Sequence, residues 1–167
     1  VRSIIEWANK AGLDRRQRRA FEIFAGTFVL SFYHDAENCN GMAEHQYHAG
    51  FVHEKRRLEF LVEVEKRKSQ QLICFLHGPG GSGKTTVIDL LLEYAREYCS
   101  FFDNYQFSSR TIVVTAMTGV AATLLMGETT HRALYLNQRK DILPEQVEVW
   151  METRLLIIDE ISFASKV

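Results

Sequence analysis

The run Gly78-Pro79-Gly80-Gly81-Ser82-Gly83-Lys84-Thr85 constrains this chain more than any other feature. It fits G-x-x-x-x-G-K-[ST] at every fixed position. It also stands between an apolar run, LICFL at 72–76, and a helical pattern from Thr85 to Tyr98. Such a segment joins a strand to a helix by curling successive backbone N–H groups around an anion, which side chains at the glycines would obstruct. The helix that follows adds the positive end of its dipole. Gly78, Gly80, Gly81, Ser82, Gly83, Lys84, Thr85 and Thr86 therefore form a candidate site for a nucleotide triphosphate tail. Lys84 would reach the β- and γ-phosphates and the Thr85 hydroxyl would face Mg2+. The alternative is a plain Gly-rich turn with an incidental lysine.

Two more apolar runs follow, TIVVT at 111–115 and LLIID at 155–159. Strands that are apolar throughout, alternating with helical stretches, imply an α/β fold with a mostly parallel sheet covered on both faces by helices. The last run ends in Asp159 and Glu160. Any buried strand can end in acidic residues, but downstream of a phosphate loop the pair becomes a Mg2+-directing Asp159 and a base, Glu160, that activates water. Lys84, Asp159 and Glu160 are thus the candidate catalytic residues, and Thr85 and Asp159 the candidate metal positions. Both carboxylates would stand at the carboxyl end of the sheet, where open α/β folds bind ligands.

Residues 1–70 read as a helical N-terminal segment, and 71–167 as the phosphate-loop domain. Phe21, Phe24, Ala25, Phe28 and Phe32 recur at helical spacing behind the capping residue Asp14, which predicts a helix over 14–33. Periodicity is lost over 34–50, which reads as a loop or insertion. It returns over 51–68 as a second, solvent-facing helix built on Leu58, Leu61 and Val62.

Composition mainly excludes. With 167 residues, 46% of them hydrophobic, the chain can bury a core. A formal charge of -1 gives no bulk attraction for nucleic acid, so any such partner must be recognised locally. Cys39, Cys74 and Cys99 form no CxxC pair and read as reduced thiols of an intracellular protein. His45, His48 and His53 match no zinc spacing. No apolar run approaches the ~20 residues of a membrane span. The start at Val1 and the end at Val167 are expected to bound a fragment of a longer chain.

Phosphate loops occur in kinases, switches and motors alike, and the segment between the two acidic and glycine-rich motifs chooses among them. Thr115-Ala116-Met117-Thr118-Gly119-Val120-Ala121-Ala122, then Gly127-Glu128-Thr129-Thr130-His131, resembles the T-A-x-T-G-x-A-A … G-x-T-x-H pattern of Pif-one-like helicases. These are superfamily one motors related to RecD and to the helicases of Helitron transposons. Asp159-Glu160-Ile161-Ser162 matches the same family's second ATP motif, and Leu13 to Phe21 resembles its L-x-x-x-Q-x-x-A-F segment.

The resemblance covers roughly 13–33 and 71–163. It implies a RecA-like first domain of an incomplete motor that uses ATP and Mg2+, acts on single-stranded DNA with 5′-to-3′ polarity, and resides in the nucleus. It also implies that Thr115, Thr118, Gly119 and His131 contact the DNA backbone and that Gln17 reads adenine. An amide suits adenine because it donates and accepts at once. Gln17 also stands three residues after Asp14, where a capping-box partner belongs, so a purely structural role competes. The arginines between 15 and 19 read as a solvated helix face. The stretch between Gln17 and Gly78 exceeds what a minimal motor needs. The chain also lacks the later motifs of the family, the second RecA-like domain and its arginine finger among them. It is therefore expected to hold nucleotide and not to unwind DNA alone. A non-helicase P-loop ATPase or kinase, or an inactive nucleotide-binding remnant, are the rival readings; no N-K-x-D guanine motif is present.

Overall fold

The computed structural model describes residues 2–38, 71–101, 105–136 and 143–163. It divides into two compact units, 1–106 and 107–167, which are treated separately.

Among its described residues the first unit is helical. A capping box opens α1 (Ile4–Lys10): Ser3 Oγ accepts from the Glu6 N–H while the Glu6 carboxylate accepts from the Ser3 N–H. The long α2 spans Arg15–Asn38 and α3 spans Lys84–Cys99. Their interface is largely aromatic. Phe21 and Phe28 are fully buried, and Tyr94 and Tyr98 of α3 meet them edge-on at 5.9 Å in each case. Trp7 brings α1 onto the same cluster, 5.9 Å from Tyr94. Glu97 of α3 accepts from the Trp7 indole N–H at 3.4 Å and pairs with the Arg2 guanidinium, which lies over the Trp7 ring. That pairing holds Glu97 below the usual carboxylate range, and the Ser3 N–H does the same for Glu6.

Three expectations for this unit change. Helix α2 continues to Asn38, so 34–38 belong to the helix and not to the loop read over 34–50. On α2 the buried stripe consists of Phe21, Ile23, Ala25, Phe28, Val29 and Leu30, while Phe24 and Phe32 are only half-buried. The run LICFL at 72–76 forms no strand. Ile73, Cys74 and Phe75 are all exposed, Ile73 to 81% and Phe75 to 70%, and the Phe75 and His77 rings stack at 5.8 Å. A strand exists only through its neighbours' hydrogen bonds, and no described residue of this unit supplies a second extended segment. The helix expected over 51–68, the rest of 34–50, and Cys39, His45, His48 and His53 lie outside the described residues.

The second unit is a parallel sheet in the order β2-β1-β3, with β1 Ile112–Ala116, β2 Glu128–Thr129 and β3 Leu155–Asp159. Every residue of β1 is buried, as a central strand that is apolar on both faces requires. Helix α4 (Gly119–Leu124) makes the crossover from β1 to β2. The short α5 (Thr130–Ala133) follows β2, and α6 (Pro144–Met151) precedes β3. The crossover is tight. A Cβ on Gly127 would stand 2.2 Å from the Val114 carbonyl oxygen, so only glycine lets the chain pass β1 there. Among the described residues no helix is long and apolar enough to cross a membrane.

Candidate nucleotide site and sheet edge

The phosphate loop occupies the segment that the sequence assigns to it, directly before α3. Gly81 and Gly83 adopt φ of 74° and 75°, the left-handed region that a side chain strains, and Gly83 is the residue on which α3 begins. A Cβ on Gly78 would stand 2.7 Å from Ser82 Oγ. The Lys84 ammonium folds back over the loop and donates to the Gly78 and Pro79 carbonyls at 3.0 and 3.2 Å. Those two bonds are what phosphate oxygens would replace. Ser82 Oγ is buried and lacks a hydrogen-bond partner among the described residues, an orphaned polar atom inside a cradle of backbone. The residues therefore fit an anionic phosphate tail. Thr85 and Thr86 are exposed on the first turn of α3.

Gln17, on the first turn of α2, lies against this loop. Its Oε1 accepts from the Asp14 N–H at 3.0 Å, and its Nε2 donates to the Ser82 carbonyl at 3.2 Å. Asp14 Oδ1 closes the cap by accepting from the Arg16 and Gln17 N–H groups. Both ends of the amide are thus engaged by protein.

In the second unit the register aligns Ala116 with Thr129 on one side and Asp159 on the other. All three strands are parallel, so the segments that follow them leave from one edge of the sheet. Thr118 and Gly119 follow β1 and are exposed; Thr118 Oγ caps α4 by accepting from the Ala121 N–H at 3.3 Å. His131 is exposed on α5. Asp159 ends β3 half-buried, and Glu160 follows it, exposed, with a left-handed φ of 53°.

Thr115 does not belong to that exposed group, and its expected DNA contact is corrected. It is fully buried, its hydroxyl donating to the Ile157 carbonyl at 3.1 Å and accepting from Thr130 Oγ at 3.1 Å. On a strand buried on both faces a threonine hydroxyl must find its partners inside, and Thr115 finds them on β3 and α5. Thr130 had no assigned role in the sequence reading. Its place in G-x-T-x-H gave no sign that its partner would be another threonine.

Among the described residues no group of three His, Cys, Asp or Glu could hold a metal ion. The donors that the sequence offers for Mg2+, the Thr85 hydroxyl in the first unit and the Asp159 carboxylate in the second, are of the kind that suits an ion held largely by phosphate oxygens and water.

A glycine cradle with its lysine, opening a helix, and a parallel sheet ending in paired carboxylates define an α/β P-loop NTPase fold of the RecA type. A family model described as an AAA domain matches residues 64–167. The chain is 30% identical over 125 residues to uncharacterized protein 030L of Invertebrate iridescent virus 6, a match covering 65% of this chain and 22% of that protein. It is 30% identical over 122 residues to ATP-dependent DNA helicase PIF1 of Emericella nidulans, covering 67% of this chain and 15% of the helicase. The chain therefore spans less than a quarter of the length of these relatives. No solved structure matches it. The chain belongs to the AAA domain family, and its resemblance to Pif-one-like helicases rests on this fungal relative as well as on the motifs.

Proposed function

We propose that this chain is the nucleotide-binding domain of an ATP-dependent DNA helicase that couples hydrolysis to 5′-to-3′ movement on single-stranded DNA. The observation that carries the reading is the shared sheet edge. The register sets the exposed turn Thr118-Gly119, after the central β1, between the segment bearing His131, which follows β2, and Asp159 and Glu160 at the end of β3. A hydroxyl and a bare backbone can hold phosphates without reading bases, as a motor that moves over any sequence requires.

In this reading the loop glycines and Lys84 hold the triphosphate and Glu160 takes the proton of the attacking water. Thr85 and Asp159 would hold Mg2+, which neutralises charge on the β- and γ-phosphates. A second RecA-like domain completes the ATP site, so that nucleotide state sets DNA affinity and movement follows. A nuclear location and work in DNA repair, recombination, telomere maintenance or Helitron transposition are part of the proposal and come from the family resemblance.

The test is ATP hydrolysis by the chain together with that second domain, with and without single-stranded DNA, beside a Lys84→Ala control. Strong stimulation by DNA, absent in the control, is the expected result. Hydrolysis indifferent to DNA refutes the helicase reading and leaves a P-loop ATPase of another kind.

A further inference from the structure

The Gln17 side chain of α2 hydrogen-bonds the phosphate loop, and it does so while held at its other end. Its carbonyl oxygen is fixed by the Asp14 N–H and its amide nitrogen by the Ser82 carbonyl. The approach is close: a Cβ on Gly83 would lie 2.2 Å from Gln17 Nε2. Glycine at 83 therefore serves two needs at once, the left-handed φ and room for this amide.

The peptide that Gln17 holds is the one joining Ser82 to Gly83, immediately before the first turn of α3. A trans peptide is planar, with its C=O and N–H pointing in opposite directions. Pulling the Ser82 carbonyl toward α2 therefore turns the Gly83 N–H to the opposite side of the loop. Left free, this carbonyl could rotate inward and set a partial negative charge among donors meant for an anion.

We infer that Gln17 is a positioning residue for the phosphate loop: it fixes the Ser82–Gly83 peptide so that the loop presents N–H groups, not a carbonyl, to a polyphosphate. The role deepens the nucleotide-site reading and rests on it, and it is independent of the base. Each end of the amide keeps one further hydrogen-bonding position, so the positioning role holds whether or not Gln17 also meets the base.

The two roles make different demands on ligand chemistry. Binding of ATP, GTP and inorganic tripolyphosphate would be measured by calorimetry on the unaltered chain, Gln17→Ala, Asp14→Ala and Lys84→Ala, with thermal unfolding recorded for each. Asp14→Ala removes the side-chain cap but leaves both amide bonds of Gln17, so it separates helix stability from loop positioning. The expected result is a loss of about tenfold for all three ligands in Gln17→Ala, the scale of one hydrogen bond to a charged site. Asp14→Ala should melt earlier and bind normally. A loss confined to ATP, no loss at all, or an equal loss in Asp14→Ala overturns the inference. If Lys84→Ala binds tripolyphosphate as the unaltered chain does, the phosphate-site reading itself falls.

Discussion

Replacing Thr115 by valine tests whether this residue belongs to the core or to a DNA-binding surface. The two side chains have nearly the same shape, so packing is preserved and the change isolates the hydroxyl. That hydroxyl makes two bonds in a fully buried position, one to the Ile157 carbonyl and one from Thr130. Each contributes about 1 kcal/mol, for a loss of ~2 kcal/mol. A buried methyl in place of the hydroxyl returns up to ~0.8 kcal/mol. The net cost is about 1–2 kcal/mol, seen as a lower urea midpoint with an unchanged m-value. Thr130→Val alone removes one of the two bonds and should cost less. The double variant should be less destabilised than the two singles added together, by about 1 kcal/mol, because the shared bond is lost only once. Unchanged stability in Thr115→Val accompanied by loss of single-stranded DNA binding would refute the buried-bridge argument and restore the surface role.

Other substitutions separate structure from function in the same way. Gly119 has nothing within 4 Å of where a Cβ would stand and an ordinary φ, so Gly119→Ala should raise stability by a few tenths to ~1 kcal/mol through helix propensity. If DNA backbone approaches there, the same variant binds single-stranded DNA more weakly; unchanged binding counts against that contact. Gly127→Ala drives a Cβ into the Val114 carbonyl and should cost about 1–3 kcal/mol, measured by thermal unfolding. Glu160 pays for its left-handed φ, so Glu160→Asn should abolish hydrolysis and gain ~1 kcal/mol of stability, whereas Glu160→Gln abolishes hydrolysis without that gain. Glu6 and Glu97 both have depressed folded pKa values, so their contribution to packing α1 is present above the usual carboxylate range and lost as pH falls through the depressed values. Trp7 fluorescence in a Trp150→Phe background should report α1 loosening in that acid window, and a signal flat down to pH ~3 would contradict it.

What could be read from the sequence follows from how local each determinant is. The phosphate loop is legible because its conformation depends on glycines and a helix start within eight residues, and the same holds for the Asp14 and Gln17 capping pair. The Ser3 and Glu6 capping box carried an equally local signal, S-x-x-E before an apolar turn, although no helix was assigned there. The strands 112–116 and 155–159 were expected within a residue because an apolar run of that length has few other uses. LICFL carries the same signal, yet pairing is a property of two segments, and its apolar character alone could not supply a neighbour. Gln17 shows the limit most clearly. Its spacing from Asp14 identified a cap and its motif identified a base reader, but the bond to Ser82 spans 65 positions and follows from neither. A residue whose two amide ends answer to different parts of the chain is assigned from sequence by whichever end is local. The distant end becomes visible only when α2 is packed beside the loop, where it bonds the Ser82 carbonyl.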